Sequence, residues 1–212
     1  ILQNSKGLLN APGEWYFDRD TGMLHVVPGG LTDSSPIYIS TLPCLLQIDD
    51  AQHIEISGIH WEMAAGDAIR INGGESIRVT NNQIRFTGGW GIRAEMAGAL
   101  ELSRNVIKHT GLGGVHVSAG DRKTLQRSRV TISNNTVSHI GENLHCYQPA
   151  FLLSGVGIKL LHNHVAHTPH TAIQLSGPFH EIRGNLVEHA CKLTNDVGAV
   201  YAGRDWTTRG TI

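Results

Sequence analysis

A phrase built around asparagine returns five times in this 212-residue chain. Its asparagines are Asn82, Asn105, Asn135, Asn163 and Asn185, and the successive steps are 23, 30, 28 and 22 residues. Each follows a short run of alternating apolar residues, and an Ile or Val stands two places after it, on the same side of a period-2 strand. An earlier segment, HIEISGIHWEM, is a sixth and less regular copy of the repeat. Short strands at such a period predict a β-solenoid whose coils stack on one another.

A second short strand follows in each repeat, and its alternation predicts one inward and one outward set of side chains. The six strands are DAIRI, WGIRA, GVHV, PAFLL, TAIQL and GAVYA. The outward set is Arg70, Arg93, His116, Leu152, Gln174 and Tyr201. Gly and β-branched residues interrupt every candidate helical stripe. We therefore expect an all-β fold, a right-handed parallel β-helix of about six coils.

The repeated Asn and His positions have a structural explanation in such a fold. Asn side chains on successive coils can pass amide hydrogen bonds along the stack. The histidines four places later, His109, His139, His167 and His189, are expected to stack, either inward or at the last turn of the strand. The alternative is zinc binding by the run HNHVAHTPH. Alternate strand positions are about 6.5 Å apart and no carboxylate or Cys accompanies the run, so we expect no metal and no cofactor.

The two ends of the chain depart from the repeat. Residues 1–50 contain GEWYFDRDTGMLHVVPGG, which predicts a β-hairpin that caps the first coil. Residues 51–212 are assigned to the β-helix, and the last copy of the repeat ends where another coil would begin. We expect the native protein to continue there. The alternative is that this edge pairs with a second copy to form a homo-oligomer.

Composition narrows the classes of partner. The net charge is −1, with 17 basic and 18 acidic residues, which disfavours nucleic acid and anionic membranes as partners. No apolar stretch approaches the roughly 18 residues of a membrane span. The three cysteines are widely spaced, which disfavours a disulfide framework, and we interpret them as buried small apolar side chains.

Several longer strings resemble a known family. They are APGEWYFDRDTGMLHVVP, ISGIHWEMAAGDAIRI, GGVHVSAGDR and NDVGAVYAGRDWTTRGT. Together they resemble the bacterial right-handed parallel β-helix proteins that include glycoside hydrolase family 141. The GEWY hairpin and the D-x-G-A-x-Y and G-R-D-W motifs carry most of the likeness. The resemblance implies an extracellular or periplasmic protein that acts on polysaccharides or their side chains.

Hydrolysis of a glycosidic bond normally uses two carboxyl groups, about 5 to 5.5 Å apart for retention or about 6.5 to 9.5 Å apart for inversion. The resemblance implies that Asp196 matches a catalytic carboxylate, and Asp205 is the second candidate in the chain. In an extended strand these two lie more than about 13 Å apart, so the partner must come from another coil or from beyond Ile212. Asn-Asp before a strand is also ordinary turn chemistry, so a turn cap is the alternative role for Asp196.

Polar and aromatic side chains near these aspartates are candidates for binding sugar hydroxyls and pyranose faces. The candidate substrate-binding residues are Tyr201, Arg204, Trp206, His170, Gln174, His116 and Arg93. A merely solvated polar row is the alternative for the last two. Two other functions stay open at this point: a polysaccharide lyase that acts on uronate-containing glycans, and a carbohydrate-binding solenoid without catalysis.

Overall fold

The computed structural model describes residues 5–32, 34–203 and 205–212. The chain divides into two compact units, Ile1–Ile39 and Ser40–Ile212. The first unit holds a 3₁₀ turn at Lys6–Leu8 and an antiparallel hairpin of β1 (Trp15–Asp18) and β2 (Met23–Val26). In the hairpin turn, the Asp18 carboxylate accepts a hydrogen bond from the backbone N–H of Asp20 at 3.0 Å. The predicted N-terminal hairpin is thus confirmed.

The second unit is a stack of coils, each of which contributes strands to three parallel sheets. The first sheet contains β4 (Glu55–Ser57), β7 (Ile77–Thr80), β10 (Ala99–Ser103), β13 (Arg129–Ser133), β16 (Lys159–Leu161) and β19 (Glu181–Arg183). The second contains β5 (His60–Glu62), β8 (Gln83–Thr87), β11 (Val106–Thr110), β14 (Thr136–Ser138), β17 (His164–Ala166) and β20 (Leu186–Glu188). The third contains β3 (Cys44–Asp49), β6 (Asp67–Asn72), β9 (Ile92–Met96), β12 (Val115–Ala119), β15 (Phe151–Gly155), β18 (Ile173–Ser176) and β21 (Val200–Tyr201).

This arrangement confirms the predicted parallel β-helix. Its first strand, β3, lies within residues 1–50, the part of the sequence that the repeat did not reach. Chain order runs from the third sheet to the first, then to the second, and back to the third.

Apolar side chains that point inward from the three sheets form one continuous core. The inward row of the third sheet illustrates the packing: Ile69, Ile92, Val115, Phe151 and Ile173 are in register, and each is at most 1% exposed. Full burial of such a side chain stabilises the fold by about 1.5–3 kcal/mol. The coil-to-coil repeat of the sequence is therefore a repeat of buried contacts.

The Asn side chains form the predicted ladder at the turn between the first and second sheets. The Asn135 side-chain amide donates to the side-chain oxygen of Asn163 at 2.9 Å, and the Asn105 amide donates to Asn135 at 3.0 Å. Each amide also bonds to a strand carbonyl, such as Leu102 O for Asn135 at 2.9 Å. The turn is tight because the residue before each Asn adopts a left-handed conformation, for example Asn134 with φ 55°.

The histidines stack as predicted and lie at the ends of the strands of the second sheet. The rings of Phe86, His109, His139, His167 and His189 follow one another at centroid distances between 4.7 and 5.3 Å. Their φ angles lie between 50° and 56°, which turns these side chains away from the core. The column therefore occupies the last turn rather than the interior.

The expectation for the cysteines is wrong. Cys44 and Cys191 are half-buried, and Cys146 is exposed in the segment 141–149. This segment is a long insertion that leads into β15, and a second insertion, 120–127, follows β12. The two insertions therefore lie at opposite ends of the strands of the third sheet.

Candidate functional site

The outward face of the third sheet carries a continuous row of side chains, here called the polar strip. Its members are in register on successive rungs: Gln47, Arg70, Arg93, His116, Leu152, Gln174 and Tyr201. Strand alternation places them opposite the buried row, and neighbouring rungs are about 4.8 Å apart. The register agrees with the outward set expected from the sequence.

A buried carboxylate fixes the arginine end of the strip. Asp67 is 4% exposed, and its Oδ2 lies 2.9 Å from Arg70 Nη2 and 3.4 Å from Arg93 Nε. Its Oδ1 accepts the backbone N–H of Trp90 at 2.9 Å. The hydrogen bond with Asp67 raises the pKa of Arg70. Two guanidinium groups on adjacent rungs are therefore held by one carboxylate at the start of β6.

His116 lies on the next rung and packs against an aromatic ring. The centroids of His116 and Trp90 are 5.3 Å apart. The indole has room because Gly113 lies beside it, where a Cβ would overlap the Trp90 ring. Burial of the imidazole, and secondarily the positive charge of Arg93, lower the pKa of His116. The neutral imidazole therefore predominates at neutral pH.

The other half of the strip combines an apolar rung with polar neighbours. Leu152 separates His116 from Gln174, and Gln174 is followed by Tyr201. His170 stands just before β18 and is 4% exposed. Its ring lies 4.9 Å from the ring of Tyr147, which is 61% exposed and comes from the insertion 141–149. An exposed aromatic side chain thus lies over a buried imidazole beside the strip.

Unpartnered polar atoms are concentrated on this face. Seven buried side-chain nitrogen or oxygen atoms in the described part of the chain have no hydrogen-bond partner. Three of them belong here: His116 Nδ1, His170 Nδ1 and Gln174 Oε1. A fourth, Arg93 Nε, makes no hydrogen bond but lies in the ion pair with Asp67. Such an atom costs about 1–3 kcal/mol when it is left unsatisfied. Their concentration distinguishes the face from an ordinary solvated surface.

The carboxylate candidates from the sequence stand in different surroundings. Asp196 is exposed, adopts φ 58°, and its side chain makes no hydrogen bond or ion pair with a described residue. Asp205 is bonded on several sides: Arg122 Nη2 lies 3.0 Å from Oδ2, and the backbone N–H groups of Gly177 and Thr207 donate at 2.8 and 2.9 Å. These bonds, those from Thr207 foremost, lower the pKa of Asp205 to about 2. None of the contacts of Asp205 is with Asp196.

The substrate-binding candidates near the end of the chain are Tyr201, Arg204 and Trp206. Trp206 is fully exposed, and Tyr201 is half-buried in the strip. Arg204 lies outside the described residues. The structure therefore brings Arg93, His116, Gln174 and Tyr201 into one row, with His170 beside it.

Sequence reasoning did not identify Asp67 or Tyr147 as parts of this face. Asp67 could have been noticed in the sequence, because it is the first residue of DAIRI. The other repeats have Trp, Gly, Pro or Thr at the equivalent position. Tyr147 had none, because it stands in an insertion whose path no periodicity determines.

Two concavities lie away from the strip. One, of about 540 Å³, crosses the first sheet and is lined by Glu55, Arg78, Glu101 and Arg129 among others. A smaller one, of about 290 Å³, is lined by His139, His167 and Lys192 at the histidine column. The described residues include no group of three or more His, Cys, Asp or Glu side chains placed to hold a metal ion. Across residues 5–32, 34–203 and 205–212, no helix has the length and apolar character to cross a membrane.

Comparison with known proteins adds one finding. Residues 46–204 match the family model described as a right handed beta helix region. The match covers nearly the whole coil stack and agrees with the predicted handedness. No curated protein and no solved structure matches the chain.

Proposed function

This chain belongs to the family of right-handed β-helix regions, and from that premise we propose that it is a carbohydrate-active protein. It binds a polysaccharide along the polar strip and cleaves it as a glycoside hydrolase. The observation that carries this proposal is the concentration of unpartnered buried polar atoms on one outward face. A ligand rich in hydroxyl groups supplies both donors and acceptors to such side chains once they reorient.

The shape and chemistry of the face support a glycan as the ligand. Its seven rungs form one continuous row of side chains, which suits an extended polymer. Tyr147 offers an exposed aromatic face for a pyranose ring, while His116 and Gln174 flank the apolar Leu152. The two insertions border this surface and supply side chains at its edges.

The hydrolytic part of the proposal rests on the resemblance to the proteins that include glycoside hydrolase family 141. That resemblance assigns Asp196 to one catalytic carboxylate, and the exposure of this side chain leaves it accessible to substrate. Asp205 is the weaker assignment, because its hydrogen bonds with Arg122, Gly177 and Thr207 occupy the carboxylate. We also propose an extracellular or periplasmic location, where polysaccharides of this kind occur.

A second candidate function is supported by Arg93 and His116 on adjacent rungs. A uronate carboxylate bound by Arg93 would bring a C5 proton toward the neutral imidazole of His116, as polysaccharide lyase chemistry requires. The lowered pKa of His116 favours the base form. This arrangement makes a lyase the alternative to the hydrolase.

One experiment separates these functions. The full chain is incubated with neutral and uronate-containing polysaccharides, and reducing ends and ultraviolet absorbance are followed together. A hydrolase releases reducing ends without absorbance, whereas a lyase produces an absorbing unsaturated product. Binding without either signal supports a carbohydrate-binding module and contradicts the hydrolase. No binding to any glycan of the panel contradicts the whole proposal.

A further inference from the structure

The smaller concavity lies at the end of the second sheet and is built from three successive rungs. His139 and His167 follow β14 and β17, which are in register, and φ angles of 53° turn both rings outward. Their ring centroids are 4.7 Å apart. The backbone N–H of Lys192 donates to the Thr168 carbonyl at 3.2 Å and fixes the third rung. The walls of the concavity are therefore held by the backbone bonds of the coil stack.

The polar part of this concavity is rich in nitrogen. Four nitrogen-bearing side chains line it: His139, His145, His167 and Lys192. None of their side-chain nitrogens has a hydrogen-bond or ion-pair partner among the described residues. Glu142 carries the only carboxylate among the described lining residues, and its Oε1 already lies 2.8 Å from His109 Nδ1. The concavity therefore presents free donors, and it becomes positively charged when its imidazoles are protonated.

The rest of the lining is largely apolar. Ile140 and Pro169 are buried, whereas Leu193 is 65% exposed. The volume of about 290 Å³ lies just below the range of about 300–1,000 Å³ that is typical of sites for drug-sized ligands. The space therefore suits a smaller molecule, with one ring or a short apolar chain.

We propose that this concavity binds a small organic anion, a carboxylate on an apolar body, and that binding strengthens in mild acid. The carboxylate accepts charge-assisted hydrogen bonds from Lys192 and from protonated imidazoles, while the apolar body contacts Ile140, Pro169 and Leu193. The described His, Cys, Asp and Glu side chains form no group of three or more that could hold a metal ion, so the free nitrogens favour an anion. This site is independent of the proposed glycan-binding face.

The pH dependence follows from the stacking of the rings. Burial foremost, and then positive charge on His167 and His109, lower the pKa of His139. A carboxylate beside the rings offsets this repulsion, so the anion and a proton bind together. The charged or titratable groups around the two rings are Lys108, His109, Glu142, His145, His189 and Lys192. The lysine ammonium is charged at neutral pH and supplies the binding that remains there.

The histidine column shows which substitution it tolerates. Phe86 occupies the equivalent position of an earlier repeat, with φ 56°, and stacks on His109 at a centroid distance of 5.3 Å. His139→Phe and His167→Phe therefore keep an aromatic ring and remove the nitrogens. His53→Phe is the matched control, because His53 is an exposed histidine with φ 56° outside the column.

The test is isothermal titration calorimetry of the full chain with benzoate and with neutral benzyl alcohol, at pH 5.5 and pH 7.5. Both values lie above the range in which ordinary carboxyl groups titrate, so benzoate is charged in each. We expect benzoate to bind about tenfold more tightly at pH 5.5, and benzyl alcohol to bind at least about tenfold more weakly than benzoate there. Titration in two buffers with different heats of ionisation should show that protons are taken up with benzoate.

The variants locate the binding. Lys192→Gln should weaken benzoate binding about tenfold at both pH values, whereas Lys159→Gln, on the first sheet, should leave it unchanged. The double variant His139→Phe/His167→Phe should lose most of the increase at pH 5.5, and His53→Phe should behave as wild type. Circular dichroism checks that each variant is folded. Lys192→Gln decides the matter if the double variant does not fold.

Three results would overturn the inference: no saturable benzoate binding at pH 5.5, equal binding of benzyl alcohol, or full affinity in Lys192→Gln. Glucuronate that binds more tightly than benzoate would overturn the apolar body and indicate an acidic sugar as the ligand. Zinc ions that bind through His139 and His167, in a chain that does not bind benzoate, would replace the anion site with a metal site.

Discussion

The ring of Trp90 lies beside the ring of His116, with centroids 5.3 Å apart, and joins the buried interior to the polar strip. Trp90 is 3% exposed and comes from the rung below His116. The buried indole thus packs against the half-buried imidazole. The geometry of the strip depends on packing inside the coil.

Gly113→Ala should disturb this contact. A Cβ at position 113 would overlap the Trp90 ring and the carbonyl oxygen of Pro149, so one of them must move. We expect a loss of about 1–3 kcal/mol in the free energy of unfolding, as for other overpacked cores. Urea denaturation and tryptophan fluorescence measure this. Gly7→Ala, where nothing lies within 4 Å of the added carbon, is the control, and equal stability of the two variants would show that Trp90 is loosely packed.

Asn135→Ala should break the asparagine ladder at its centre. Asn135 is 1% exposed, and its loss leaves the Leu102 carbonyl and the Asn105 backbone N–H without their partners. We expect a cost on the order of 3 kcal/mol, because more than one buried polar group is orphaned. The control is Asn134→Gly, at an exposed position with φ 55° that glycine adopts readily. Urea denaturation of the two variants should differ clearly, and coincident curves would refute a stabilising ladder.

Stability should fall as the pH drops below about 6.5, the pKa of an unfolded histidine. His180 is fully buried, its Nδ1 accepts the backbone N–H of Ile158 at 3.2 Å, and its Nε2 lies 3.1 Å from the Ser176 carbonyl. Burial lowers the pKa of His180, as it lowers the pKa of His170. The folded state thus binds fewer protons than the unfolded state, so stability is retained above pH 6.5 and is lost as the pH falls through the lowered pKa values.

The measurement is the urea midpoint at pH 7.5 and pH 5.5, both above the range in which ordinary carboxyl groups titrate. His180→Asn keeps an acceptor near Ile158 and removes the titrating ring. This variant should be less stable at pH 7.5 but should show a smaller change between the two values. If the variant lost as much stability between pH 7.5 and pH 5.5 as wild type does, groups other than His180 would be responsible for the pH dependence.

Asp205 should act as a tether for the insertion 120–127. It holds Arg122 through both carboxylate oxygens, at 3.1 and 3.0 Å. Asp205→Ala should therefore raise the rate of tryptic cleavage after Arg122 and Lys123 several-fold, because a local opening becomes easier. Glu188→Ala, which removes a surface contact with His164, is the control. Equal protection of the insertion in both variants would argue against the tether.

Much of the fold follows from the sequence because a coil repeats its neighbours. The Asn ladder and the inward Ile and Val rows consist of residues that recur at the same position of each repeat. The spacing of Asn105, Asn135 and Asn163 therefore predicts that successive coils stack. The same alternation predicts the polar strip. Strand β3 was not predicted because the segment that contains it lacks the repeated Asn motif. Its pairing with β6 is visible only in the structure.

The site was less predictable, since its contacts join residues from different coils and from insertions. The ion pair between Asp67 and Arg93 depends on rung register, and the contact between Tyr147 and His170 depends on the path of segment 141–149. Two of the hydrogen bonds to Asp205 come from Arg122, which is 83 residues away. None of these follows from periodicity.

The central claim is that the polar strip is the glycan-binding face, and isothermal titration calorimetry tests it most directly. The double variant His116→Ala/Gln174→Ala is titrated with the polysaccharide that wild type binds, beside Gln83→Ala/Lys108→Ala, which alters exposed positions of the second sheet. We expect the strip variant to bind about tenfold more weakly or worse, and the control to bind as wild type does. Equal affinity of all three proteins would contradict the account.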